Sequence, residues 1–407
     1  MVSVLRYGVD SSVQLELPEE VLLADCNAPR GKPIADVSAA VADALAAPLG
    51  LPALSHAAVP GDRVVLALDP GLPQAAAIVA AVVEVVLAAG VSPDCVTVLR
   101  TQADVDAGAP NPLANLPLEV RNQIELVTHD PNNRESLCYL AASTENKPIY
   151  LNRAIYDADV VLPIGCLRLP DSLGYHGINS GLYPTFSDTK SFQRFRSPAS
   201  EESQVQRKRL REEADEVGWL LGVLFTIQVV PGAGDDILHV LAGDVKSVME
   251  RGGELCAAAW RYSVPRRASL VVAAIEGNDA QQTWDNVARA LAAASRAVED
   301  DGAIAICTDL DKGLGPAMQQ IAGADNPHEA LRQISKERAE DALPASQLLH
   351  ILAHNKVYLL SRLDESVVEE LGVAPVAGPE QIARLTSRHQ SCILLANAQY
   401  ALVTAPE

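Results

Sequence analysis

Residues 157–184, DADVVLPIGCLRLPDSLGYHGINSGLYP, run from an apolar strand straight into a long loop that holds Gly165, Gly174, Gly177 and Gly181. The run Asp159–Gly165 shows no polar–apolar alternation, the pattern of a strand covered on both faces in a parallel sheet. Loops leaving the carboxyl edge of such strands are where α/β folds place their ligands, so this loop is the first candidate site. Its chemistry is sparse. Between Leu167 and Lys190 the only acids are Asp171 and Asp188, the only histidine is His176, and there is no cysteine.

The flanking sequence alternates strand and helix patterns. Pro60-Gly61-Asp62 introduces a strand over 64–68, a helix over 74–89 stops at Gly90, and a strand follows over 96–99, which makes a βαβ unit. Further strands are predicted over 124–128, 158–164 and 221–230, and the charged segment 197–216 is predicted to form a loop and an exposed helix. After residues 263–267 the alternation restarts with a strand over 269–274, a helix over 283–298 and a strand over 303–308. Apolar pieces at 348–353, 357–361 and 392–396 complete it. The prediction is an α/β protein of two domains, each a largely parallel sheet flanked by helices, with a cleft between them. The first domain covers 1–263, the second covers 264–394, and residues 395–407 are expected to return to the first.

Composition narrows the function. The chain has 407 residues, 48% of them apolar, and carries a net charge of −20. That charge opposes binding to phosphate backbones, so no nucleic-acid partner is expected. The one basic cluster, 206–211, is followed at once by Glu212, Glu213, Asp215 and Glu216, which predicts an ion-paired helix face. The apolar runs 75–83 and 85–89 are broken by Glu84 and are too short to span a bilayer. The N-terminus lacks the apolar stretch of a signal peptide. No membrane partner and a cytoplasmic location are therefore expected. Seven cysteines lie far apart without a C-x-x-C pair, as buried, reduced thiols would. The oligomeric state is left open.

Individual residues allow more than one role. His176 stands beside flexible backbone and hydrogen-bonding side chains, which makes it the candidate for proton transfer. Asp69-Pro-Gly-Leu-Pro73 follows a strand and precedes a helix. Its carboxylate suits a ligand hydroxyl, and equally suits an ordinary capping turn. His129 either faces the cleft or stitches backbone groups through its ring. His350 and His354, four apart, are either metal ligands on one helix face or surface residues.

Several segments together resemble the nickel-pincer lactate racemase family of 2-hydroxy acid racemases. They are Ala44–Gly50, Pro60-Gly-Asp with the strand to Asp69, His129-Asp130, Pro148–Asn152 with Ala158-Asp159, Gly165–Pro184, Ala242-Gly-Asp244 and Val357–Leu360. In order they cover nearly the whole chain. The resemblance implies two α/β domains with an active site between them. In the family a lysine of the glycine-rich loop bonds a pyridinium-derived cofactor, a histidine ligates nickel, and two more histidines act as acid and base.

Carried over position by position, that chemistry is missing. The family's Asp-x-Thr-Arg-Pro is here Asp69-Pro-Gly-Leu-Pro73, so Leu72 replaces the anion-binding arginine. Gln102 stands at the first catalytic histidine, Pro170 at or beside the second, Ser180 at the cofactor lysine, and Arg196 near the nickel histidine. The family's glutamine and lysine of the second domain become Asn286 and Arg289. A serine cannot form the lysine linkage, and a protonated guanidinium is a poor metal ligand. No cofactor is predicted, neither nickel nor the pincer nucleotide. The expectation is a lactate-racemase-like protein that has lost racemisation and binds a small anionic molecule. Arg168, Arg196 and Arg289 would supply charge, with Gln102, Tyr175, Asn179, Ser180 and Asn286 giving orientation. The alternative is a diverged isomerase acting on a 2-hydroxy acid with His176 as acid or base together with Asp171, Asp69 being a further catalytic candidate. A third reading leaves the cleft empty and gives the acidic surface to a protein partner.

Overall fold

The computed structural model describes residues 2–27, 29–201, 203–324, 327–337 and 339–406. Two six-stranded sheets organise the chain. The first has the order Ile237–Gly243, Thr226–Pro231, Val160–Cys166, Val64–Leu68, Val96–Thr101, Glu125–His129. All its neighbours are parallel except the outermost pair, Thr226–Pro231 with Ile237–Gly243. The second has the order Ala374–Pro375, Lys356–Leu360, Val298–Cys307, Ala268–Ala274, Cys392–Leu395, Leu22–Cys26, and every pairing in it is parallel. The expected α/β class with largely parallel sheets is thus the observed one.

The central strands are buried because nothing in them needs water. Every residue of Val64–Leu68 is buried, and Val160–Cys166 is buried from Val161 onward. Helices cover the faces, as parallel crossovers require. Ala75–Ala88 buries Ile78, Val79, Val82 and Val86. Trp284–Ser295, capped by the Thr283 side chain, buries Val287, Ala290, Leu291 and Ala294. The largest apolar core joins Leu66 and Ile78 of the first half to Val271, Leu291 and Ile304 of the second without a break.

Three placements differ from the sequence reading. Residues 221–225 are not strand: Leu221 caps the helix Gln204–Leu220, and the strand starts at Thr226. That helix is not simply exposed. It buries Leu210, Ala214 and Val217, although its basic cluster is ion-paired as expected, through Arg207–Glu201, Lys208–Glu212 and Arg209–Glu145. The hairpin Val2–Tyr7 with Ser11–Glu16 packs on the second sheet, and Leu22–Cys26 is that sheet's edge strand. At the other end Leu402–Thr404 pairs with Arg261–Ser263. No helix among the described residues is long and apolar enough to cross a membrane.

Candidate functional site

The carboxyl edges of the parallel strands bring the site together. Asp69 leaves Val64–Leu68 with its backbone N–H donating to Ile164 O at 2.9 Å. The glycine-rich loop closes over it. A Cβ on Gly165 would stand 3.2 Å from Asp69 Cβ and 3.0 Å from Gln228 Oε1, so only a glycine lets this strand end approach so closely. On the other side Gly181 leaves room for Asp69 Oδ1.

Asp69 is the one residue that lines two cavities. The larger, about 240 Å³, is bordered by Asp69, Leu72, Arg100 and Asp104 from the first sheet's loops and by Asn278 and Gln281 from the loop after Ala268–Ala274. The smaller, about 10 Å³, lies behind Asp69 against Gly165, Tyr175, Gly181 and Gln228. Burial pushes the Asp69 carboxyl up to about 6; Arg168 and Arg289 pull against that and Asp104 adds to it. Asp104 itself is occupied, accepting from Gly71 N at 2.9 Å and from Thr101 Oγ1 at 3.0 Å.

Two guanidiniums stand near this carboxylate. Arg168 donates to Gln399 O at 3.3 Å and lies over the Tyr400 ring at 5.2 Å. Arg289 donates to Leu173 O at 3.2 Å and to Asn286 Oδ1 at 2.9 Å. Among the described residues neither has a carboxylate in ion-pair contact, and burial followed by the charge of Arg168 pushes Arg289 down to about 9. Asn286 and Arg289 share a helix face because they are three residues apart. The Asn286 amide donates to Gln281 O at 2.8 Å, Tyr400 Oη donates to Gln281 Oε1 at 3.1 Å, and Gln281 Nε2 donates to Gly71 O at 3.0 Å. One amide side chain thus ties the loops of both sheets together.

The other expected site residues lie elsewhere or are engaged. His176 is only 3% exposed and lines neither cavity. Its ring meets Phe195 edge-on at 5.3 Å, with Glu201 Oε1 3.9 Å away, and burial pushes it down to about 4. Gln102 is exposed and donates to Asp106 at 2.8 Å, outside the cavity. Ser180 donates its hydroxyl to Gly177 O at 2.5 Å, and Asn179 donates to Asp215 Oδ1 at 2.9 Å. Arg196 is ion-paired with Asp285 and donates to Glu340 O at 3.1 Å. Tyr175 is buried, walls the smaller cavity, and its hydroxyl has no protein partner.

The remaining candidates take their plainer roles. His129 is buried and stitches Ser187 O, at 2.9 Å, to the Asn152 amide, at 3.0 Å. All seven cysteines are free, and burial pushes Cys166 up to about 11, which leaves it a thiol. Among the described residues no three His, Cys, Asp or Glu side chains converge as a metal site, and His350 approaches only Ser346, at 3.5 Å. Arg100, Asp104, Asp235, Asn278, Gln281 and Tyr400 were not anticipated. Asn278 and Gln281 could have been found by the rule that pointed to Asp69, since they too follow a parallel strand.

A chain of two parallel sheets whose loops share a pocket is an α/β protein of the ligand-binding or catalytic kind. Comparison with known proteins makes it specific. Residues 7–204 match the family model described as the lactate racemase N-terminal domain. That segment, just under half of the chain, is a lactate racemase N-terminal domain. The apoprotein structure of lactate racemase from Thermoanaerobacterium thermosaccharolyticum superposes with a TM-score of 0.79 at 16% identity, covering 99% of this chain and 100% of that one. A structural-genomics protein from Thermotoga maritima gives 0.67 at 12% identity, over 91% and 98% of the two chains. At these identities the likeness is one of fold. No curated protein matches the sequence.

At the positions that the resemblance assigns to it, the side chains present do not fit the family's nickel-pincer group. Ser180 has no amine to bond it and has spent its hydroxyl on Gly177, while Arg196 is a cation already paired with Asp285.

Proposed function

We propose that this protein is a lactate-racemase-like protein that has lost nickel-pincer racemisation and binds a small anionic molecule in a cleft between two domains. The domains are 264–394, joined by the hairpin Val2–Tyr7 with Ser11–Glu16 and the strand Leu22–Cys26, and the rest of the chain up to residue 263, to which 395–407 returns. One observation carries the reading: Arg168 and Arg289 are both partly buried, the charge of Arg168 pushes Arg289 down, and among the described residues neither has a carboxylate in ion-pair contact. Two such cations repel, and a bound anion relieves both the repulsion and the desolvation. Neither guanidinium lines the larger cavity itself; Asp69, on which both act, stands at its wall, and the acids there refine the ligand. Asp69 and Asp235 can accept from a donor, so the anion is one that also carries hydroxyl groups.

A catalytic version, a diverged isomerase of a 2-hydroxy acid, has one observation in its favour. Asp69 titrates near neutrality at the cavity wall, and so takes the acid–base role that buried His176 is badly placed for. Without an electron sink, proton removal beside a hydroxyl is difficult, which favours binding over racemisation.

Native mass spectrometry and metal analysis of protein purified from its own host, followed by calorimetric titration with hydroxycarboxylates and inorganic phosphate, test the proposal. Binding that weakens at least tenfold in both Arg168→Met and Arg289→Met supports it. Stoichiometric nickel with a covalent cofactor, or affinity unaffected by either substitution, sinks it.

A further inference from the structure

Behind the acid of the pocket stands a second, unassigned polar group. The Tyr175 ring is buried, its hydroxyl has no protein partner among the described residues, and the residue shares the smaller cavity with Asp69 and Gln228. A buried hydroxyl without a partner is costly, and native proteins almost always supply one. The cavity of about 10 Å³ is at the size that admits a single water, which needs roughly 10–15 Å³ and two to four polar partners. The lining residues carry such partners: the Tyr175 hydroxyl, the Asp69 carboxyl and the Gln228 amide, one N–H of which already donates to Thr226 Oγ1. A methyl group on Gly181, which lines the cavity, would sit at ordinary contact distance from Asp69, 3.5 Å from Oδ1, and so take up space there without a clash.

We propose that one water molecule occupies this cavity and links the Tyr175 hydroxyl to the Asp69 carboxyl, making Tyr175 the positioning residue for the proton that Asp69 carries at the wall of the larger cavity. The assignment concerns Asp69 itself and does not depend on which ligand the pocket takes. Other charges around the pair are fixed by the fold: Arg168, Asp104 and Arg289 act on Asp69, and Cys256, Arg211 and Cys166 act with Asp69 on Tyr175. With the water in place, Asp69 as a carboxylate accepts a hydrogen bond from it, and the water is oriented by Tyr175. Removing the link removes solvation from the charged form, so the proton is held more tightly.

The test follows the Asp69 carboxyl carbon by NMR through a pH titration of aspartate-labelled protein, in the wild type and in Tyr175→Phe and Gly181→Ala. The first variant removes the partner of the water and the second fills its space. Each is expected to raise the Asp69 midpoint by about half a unit to one unit, a roughly three- to tenfold gain in proton affinity. A crystal structure of the wild type at high resolution is expected to show the water within hydrogen-bond distance of Tyr175 Oη. An unchanged midpoint in folded Gly181→Ala, or a cavity without an ordered water in that crystal structure, overturns the proposal even if Tyr175→Phe fails to fold.

Discussion

Arg196, at the end of the helix Thr189–Phe195, is ion-paired with Asp285 in the first turn of Trp284–Ser295, so one contact joins the two halves of the chain. Burial alone would raise the Asp285 carboxyl, but Arg196, Arg289 and Arg168 together hold it below its ordinary value. Arg196→Ala is expected to lower stability in urea unfolding by about 1–2 kcal/mol at neutral pH. Because the folded carboxyl is depressed, that difference is present above about pH 4 and fades as pH falls through the folded value.

Asp69 should behave in the opposite sense. Its folded value, about 6, lies above the unfolded one, so ionisation destabilises the fold and stability declines as pH rises from about 4 through 6. Asp69→Asn is expected to be more stable than the wild type by about 1–2 kcal/mol at pH 7.5, a discounted figure because the group is partly exposed. Thermal unfolding at pH 4 should show the advantage gone.

His176 should stay neutral across the physiological range. Burial holds it near 4, below its unfolded value of about 6.5, so its contribution to stability is lost as pH falls between those limits. Its imidazole resonances are expected not to titrate between pH 5.5 and 8. His176→Ala should cost about 2 kcal/mol through lost packing on Phe195 while leaving ligand affinity unchanged by calorimetry.

Adjacent glycines in Val245–Trp260 should respond oppositely to alanine. A Cβ on Gly252 would lie 2.2 Å from Leu167 Cδ1, whereas one on Gly253 meets nothing within 4 Å. Gly253→Ala is expected to stabilise the protein by about 0.5–1 kcal/mol through helix propensity. Gly252→Ala should destabilise it by about 1–3 kcal/mol by forcing Leu167 aside, next to Arg168. Differential scanning calorimetry of the two variants checks the sign.

The sequence displayed those elements whose physics is local. Val64–Leu68, Val160–Cys166 and Ala268–Ala274 are continuous apolar runs and were legible as buried strands. The hairpin Val2–Tyr7 was not, because its alternation is inverted: Ser3 is buried while Val2 and Val4 face outward. The place of Asp69 just beyond a strand was legible from the local pattern, whereas Arg289 was named only through the resemblance. His176 misled because Gly174 and Gly177, with φ of 70° and 94°, turn the loop so that the ring enters the core, a direction no local pattern encodes. Gln281 reaches Gly71 across 210 residues of chain, a contact fixed by how the two sheets meet.

The strand Leu22–Cys26 lies beside Cys392–Leu395, at the far end of the chain in sequence. A gene divided once near residue 263 therefore encodes two fragments, one holding a single edge strand of the second sheet and the other the remaining five. Neither piece is an interchangeable module, and recombination with a relative at that one point would pair an edge strand from one parent with a sheet from the other. The protein is inherited as a single structural unit, and co-expressed halves must find each other through that edge before the second sheet is whole.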